Sequence, residues 1–435
     1  PDAAGFARME AERLANTRKA IERLVTVKGA RTIGNTLVPY DEVQILLDAA
    51  GAQAGLMQEV HPDSTMRAVA EEELQEVSAL ATEISLDRRV YDALAALDVS
   101  KADAETRFYV ERELRDFRLA GVDKDDATRA KIAALRDTLV KIGQEFDRNI
   151  RSDVRTIQVA SAADLDGLPA DFIAGHKPGP DGRITLDINY PDYVPVMSYA
   201  KSDDVRKRLY MEFQNRAHPK NLEVLDRLIT QRHTLANLLG YPTWADYITA
   251  NKMVGSSKNA REFIDKIVAA SGASADHDYQ VLLRRKAKDV PGATAVDFWE
   301  TSYWSEMVRK SEYDFDSQSV RPFFPYEKVK QGGLDVASRL FGVTFRQVKD
   351  APVWHPSVEC WEMFEGGNLV GRFYLDMHPR ENKFNHAAQF DIRTGVAGRQ
   401  IPEAALICNL PGGEPGDPGL CEYNDVNTFF HEFGH

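Results

Sequence analysis

The stretch Asn427-Thr428-Phe429-Phe430-His431-Glu432-Phe433-Gly434-His435 makes this chain legible. Within it His431, Glu432 and His435 fit the pattern H-E-x-x-H. On a helix, positions four apart differ by about 40° in azimuth, so both imidazoles leave from one face, roughly 6 Å apart. Two ring nitrogens at about 2.0–2.1 Å can then share one tetrahedral zinc ion. Glu432 adjoins the first imidazole and leans over the metal's open position. There a carboxylate can take a proton from an activated water and pass it to a leaving amine. With ten histidines in 435 residues, chance yields this pattern on the order of one time in 60. The competing reading is two surface histidines on an ordinary helix.

A catalytic zinc takes three protein ligands and a water, and this stretch supplies two. A further histidine at extended spacing, or a glutamate farther on, would fall beyond His435. The other eight histidines have no paired spacing; His386 comes nearest to a candidate, because it lies in a strand-forming region close to the final helix. Cys421, ten residues before His431, is chemically able to ligate as a thiolate, although a small apolar residue or a reactive thiol is the default reading. Because the sequence stops at His435, it reads as the front part of a longer protein. A helix that ends on its functional residue should fray, since its last four carbonyls have no partners.

Working outward, Asn424 or Asp425 is a fitting N-cap for the final helix. Before it, Pro411–Gly419 is plainly a loop. Val358–Phe364 and Leu369–Asp376 alternate around Gly366-Gly367-Asn368, a hairpin signal, and Phe384–Ile392 and Ala404–Leu410 add two more strands. A small antiparallel sheet therefore precedes the helix. Most of the remainder is helical. Leu74, Val77, Ala81 and Ile84 keep a 3-4-3 spacing. Val110, Leu114 and Phe117 lead to a stop at Gly121, and Ile132, Leu135, Leu139, Ile142, Phe146 and Ile150 trace a second stripe, which predicts an antiparallel helical hairpin. Composition shifts at 151–200, where Ile184, Leu186 and Ile188 alternate as in a strand. Leu222, Leu225 and Ile229 carry a helix toward Gly240, and Thr243 caps the next. The division expected is an N-terminal helical domain over 1–150 and a catalytic domain over 151–435, incomplete at its C-terminal end.

The balance of 54 Lys plus Arg against 67 Asp plus Glu, net −13, makes the chain a poor binder of nucleic acid or anionic membrane. No apolar run approaches the roughly 18 residues of a membrane span. Three cysteines (Cys360, Cys408, Cys421) cannot build a disulfide framework, which points to a reducing, cytoplasmic compartment. The opening Pro1-Asp2-Ala3-Ala4-Gly5 lacks both Met and a signal region, and a removed leader stays open.

Beyond the motif, Gly371-Arg372-Phe373-Tyr374-Leu375-Asp376, Pro379-Arg380-Glu381-Asn382-Lys383, His386-Ala387-Ala388 and Phe429 to His435 resemble the thimet oligopeptidase family, which includes neurolysin, oligopeptidase A and dipeptidyl carboxypeptidase. Weaker similarity runs upstream through Asp166-Gly167-Leu168-Pro169, Tyr190–Pro195, Leu239-Gly240-Tyr241 and Ala245-Asp246-Tyr247. The resemblance implies a mainly helical, two-lobed fold with a deep channel that admits short peptides and excludes folded proteins. It implies zinc as cofactor, His431 and His435 as ligands, Glu432 as general base, and a third ligand, a Glu, after residue 435. It also implies that Ala404, Ala405 and Leu406 lie on the edge strand that holds substrate backbone by β-pairing. The expected activity is a monomeric zinc oligopeptidase acting on short unstructured peptides, as an endopeptidase rather than a dipeptidyl carboxypeptidase. These 435 residues alone should be inactive unless the missing C-terminal segment is supplied, for instance as a separate chain. The alternative is a non-catalytic peptide-binding protein, which leaves Glu432 without a reason to sit between two histidines.

Overall fold

The computed structural model describes residues 2–413 and 416–435; of the loop expected at Pro411–Gly419, Glu414 and Pro415 lie outside the described residues. Six helices open the chain: α1 (Ala3–Val25), α2 (Val38–Val60), α3 (Ser64–Leu86), α4 (Arg88–Ala95), α5 (Ala104–Ala120) and α6 (Asp126–Ser152). Asp2, Asp63, Asp87, Asp103 and Asp125 cap all of these but α2. Part of the acidic surplus is thus spent on orphan helix amides. Both helices of the expected hairpin form, with Gly121 at φ 103° as the stop. They do not lie side by side: α5 turns to α3 and α4, whereas α6 runs along α3 and α10. Periodicity shows that a helix has an apolar face, and the tertiary fold assigns that face its partner.

Next come β1 (Thr156–Val159), α7 (Ala170–Gly175), β2 (Ile184–Asp187), α8 (Tyr190–Tyr199), α9 (Asp203–Gln214), α10 (Lys220–Leu239), α11 (Trp244–Thr249), α12 (Ser257–Asp289), α13 (Thr301–Glu312), α14 (Ser317–Val320) and α15 (Tyr326–Phe341). Strands β1 and β2 pair antiparallel, Ile157 opposite Leu186. Helix α8 is absent from the sequence-based reading, which has helices resume near Asp203; Pro191 falls in the first turn of α8, where a missing N–H costs little. In α10 the helix is as expected but its buried face is not. Leu222, Leu225 and Ile229 are exposed, and Val224, Leu228, Leu235 and Leu239 are buried.

Beyond α15 follow β3 (Val343–Gln347), β4 (Glu359–Glu365), β5 (Asn368–Asp376), β6 (Ala388–Arg393), β7 (Glu403–Ile407) and α16 (Tyr423–Gly434). The sheet order is β3-β4-β5-β7-β6. All pairs are antiparallel except β5 with β7, where Phe373 faces Ala404 and Leu375 faces Leu406. Strand β6 passes outside the position next to β5, and the turn closed between Val396 and Gln400 returns β7 into the gap. The resulting platform is covered on both sides. One face presents Cys360, Tyr374, Ile392, Ala405 and Ile407 to Leu56 and Val60 of α2. The other presents Leu375, Leu406 and Cys408 to Tyr326 and Val329 of α15 and to Phe429 of α16.

Strands β4 and β5 form the hairpin that their alternation around Gly366-Gly367-Asn368 predicts. No helix among the described residues is long and apolar enough to cross a membrane.

Helix α16 packs closely on α15. A Cβ added at Gly333 would lie 2.6 Å from Cε1 of Phe429, so the ring rests directly on the α15 backbone. At the neighbouring Gly332 an added Cβ meets nothing within 4 Å. Urea unfolding should therefore show Gly333→Ala destabilised by about 1–3 kcal/mol through overpacking. Gly332→Ala should be neutral or gain up to about 1 kcal/mol from helix propensity.

Candidate active site

The segment leading into α16 is stitched to residues 321–326. The Cys421 N–H donates to the Phe324 carbonyl at 2.9 Å, the Tyr326 N–H donates to that of Gly419 at 2.9 Å, and Pro325 bridges to Leu420. Helix α16 starts two or three residues earlier than expected. Glu422 is the N-cap residue, and Asp425 acts from inside the first turn, accepting the Glu422 N–H at 2.8 Å. Glu422 also joins an ionic network. Its Oε2 accepts from the Tyr199 hydroxyl at 2.7 Å, and its Oε1 lies 3.1 Å from Nε of Arg321. Arg321 forks onto Asp171 at 3.0 and 2.7 Å and donates to the Leu420 carbonyl at 2.8 Å. Burial pushes the Glu422 carboxyl above its usual pKa despite Tyr199 and Arg321. Hydrogen bonding to Arg321 holds Asp171 below the usual carboxylate range.

Farther along α16, Phe429 is fully buried. Phe433 stacks on it at 5.8 Å and meets Phe345 and Phe373 edge-on at 6.1 and 5.7 Å. At about 100° per residue, burying positions 429 and 433 turns positions 431 and 435 away from the sheet. His431 and His435 are accordingly exposed, and Glu432 is half-buried between the two faces. The two imidazole centroids lie 5.0 Å apart with their planes at 85°. Two imidazoles one turn apart on an exposed helix face fit a shared zinc ion. Among the described residues there is no group of three or more His, Cys, Asp or Glu able to hold a metal.

The other candidates stand elsewhere. His386 has its Nε2 3.0 Å from the Tyr190 hydroxyl and lines a cleft beside Phe384 and Asn385. Cys421 is buried, its thiol donates to the Gly419 carbonyl at 3.6 Å, and burial pushes it up to about 12, which makes it inert. The edge position expected for Ala404, Ala405 and Leu406 is overturned. They lie on β7, whose backbone is paired on both sides, to β5 and to β6, and Ala405 and Leu406 are buried. A strand whose two edges are taken has no hydrogen bonds left for a substrate. The free edge on this side of the sheet is that of β6, and α16 packs close to that strand.

The profile of peptidase family M3 matches residues 196–435. The chain belongs to this family. Among its relatives, oligopeptidase A of Escherichia coli strain K12 is 28% identical over 97% of this chain and 65% of its own length. Saccharolysin of Saccharomyces cerevisiae is 29% identical over 93% and 60%, and a thimet-like oligopeptidase of Dictyostelium discoideum is 25% identical over 96% and 66%. The chain thus spans 60–66% of these relatives' length.

In this M3 chain the segment Asp376–Ala388, marked only by resemblance in the sequence, is a buried ionic knot. Asp376 accepts from Arg380 at 2.5 and 2.8 Å and from Trp354 Nε1 at 2.8 Å. The fully buried Lys383 ammonium donates to the carbonyls of Asp376, His378 and Cys408 at 2.9, 2.7 and 2.6 Å. It thereby ties together the ends of β5 and β7.

Neither this knot nor the Arg321–Glu422 pair has a sequence spacing that announces it. Replacing Arg321 by Met leaves Glu422 and Asp171 without their cation and should cost about 2 kcal/mol in chemical denaturation. Tyr199→Phe should cost about 1 kcal/mol. Because both act through Glu422, the double variant should lose less than the sum.

Proposed function

We propose that the protein is a zinc-dependent oligopeptidase that hydrolyses peptide bonds in short, unstructured peptides. The observation that carries this reading is the exposed pair His431 and His435 with Glu432 beside them, on a helix packed close to a free strand edge. His431 and His435 hold the ion, and a glutamate outside these 435 residues completes its protein ligands. When bound, zinc supplies Lewis-acid chemistry, polarising a carbonyl and acidifying water. Glu432 takes the proton of the attacking water and delivers it to the departing amine nitrogen. An extended substrate pairs its backbone with β6, so that main-chain hydrogen bonds give affinity for peptides without demanding one sequence. Similarity to oligopeptidases of bacterial, fungal and amoebal origin supports the substrate class. With two nitrogen donors at this site among the described residues, the 435 residues alone bind zinc weakly and turn over little.

Glu432→Gln in the complete protein should cut the cleavage of an internally quenched peptide by at least roughly 1000-fold while zinc content stays near one per chain. Loss of zinc in that variant would make Glu432 a ligand or a structural prop and sink its assignment as base. A peptide blocked at both ends should still be cut internally, as mass spectrometry of the products would show. A zinc-loaded protein that binds peptides and cuts none would instead be a peptide-binding protein.

A further inference from the structure

A cleft of about 1030 Å³ opens beside the start of β6, between the end of α6, the turn from β2 into α8, and the segment Pro379–His386. Asn409 pins this last wall by donating to the carbonyls of Phe384 and His386 at 3.0 and 2.9 Å. A peptide extended along the β6 edge would run past Ala388 and His386 into the cleft.

Three of the four cations lining the cleft are engaged, while the Asp147 and Glu381 carboxylates line it without an ion pair among the described residues. Arg151 pairs with Glu59 at 2.7 Å, and Arg380 and Lys383 pair with Asp376. Asp192 faces His176 at 2.9 Å, and Asp187 accepts from the backbone and side chain of Asn189 at 2.7 and 3.0 Å. Arg216 is different: among the described residues no carboxylate lies within 4.0 Å of its guanidinium. Its plane rests 4.0 Å above the Phe213 ring, and its Nε donates to the Phe213 carbonyl at 3.2 Å. Phe213 is itself stacked on Tyr193 at 4.0 Å, and Tyr190 stands edge-on between it and His386. The next residue, Ala217, holds φ at 57°, a conformation that a Cβ disfavours and that the Asp153 carboxylate maintains by accepting its N–H at 2.7 Å. A half-buried guanidinium fixed on an aromatic stack, with its terminal N–H groups free, is preorganised for a planar anion.

We propose that Arg216 is the anchor of a carboxylate-recognising subsite in this cleft, which takes either the C-terminal carboxylate of a bound peptide or an acidic side chain near it. This rests on the oligopeptidase reading and adds a preference to it. The ligand forms a two-pronged, charge-assisted contact with the free N–H groups, while Tyr190 and His386 wall the passage from the β6 edge.

The test uses the complete protein carrying Glu432→Gln, so that peptides bind uncut. Three labelled decapeptides are titrated by fluorescence anisotropy: a neutral peptide amide, the same peptide as the free acid, and the amide with one glutamate near its C-terminus. One or both carboxylate peptides should bind roughly tenfold tighter than the neutral amide, and which one does so identifies the source of the carboxylate. Arg216→Gln should bring all three to the same affinity, and Arg216→Lys should restore part of the difference. The comparison is a ratio of affinities, so a variant that is merely less folded lowers the bound amplitude for all peptides and leaves the ratio intact. An unchanged ratio in Arg216→Gln, with the neutral peptide still cut by the protein bearing Glu432, would overturn the subsite and leave the oligopeptidase reading standing. No binding of any peptide and no cleavage would overturn both.

Discussion

Everything in the candidate site depends on the Phe429 ring lying against the bare backbone at Gly333. With that ring and Phe433 committed to the sheet side of α16, helical geometry leaves His431 and His435 no direction but outward. Burial of a side chain the size of Phe429 contributes about 2–3 kcal/mol, enough to set the rotation of the helix about its axis. The network of Tyr199, Arg321 and Glu422 holds the other end, so the motif is displayed by a helix secured along its length.

The sheet is the surface against which this happens, and its rigidity comes from being covered twice. Helix α2, from the first sixty residues, closes one face, and α15 with α16 closes the other. The buried Lys383 ammonium then collects carbonyls from the ends of β5 and β7. A fully desolvated charge is tolerable there because Asp376 and three carbonyl oxygens replace its water. The same knot sets the course of Pro379–His386, and so shapes both the approach to β6 and the adjoining cleft.

Much of this was open to reading from residue patterns. Gly121 and Gly240 as helix stops, Thr243 as a cap and the strands around Gly366-Gly367-Asn368 all have local causes, and the structure has them where those causes lie. Failures came where local and tertiary signals part. Leu222, Leu225 and Ile229 form a helical stripe that faces outward, because α6 claims the neighbouring face with Val224 and Leu228. The edge position of Ala404–Leu406 came from the family resemblance alone, and the return of β7 into the gap beside β5 puts these residues inside the sheet.

Alone, the sequence determined that a helix carries two imidazoles one turn apart with a carboxylate beside them, that an apolar sheet precedes it, and that most of the rest is helical. Those properties follow from residue type and from spacings of a few positions. The tertiary structure decided which strand keeps a free edge, which cation of the cleft has no ion pair among the described residues, and what clamps the start of α16. Such facts depend on contacts between residues hundreds of positions apart, Tyr199 with Glu422 or Arg380 with Val60, for which the chain carries no periodic signal.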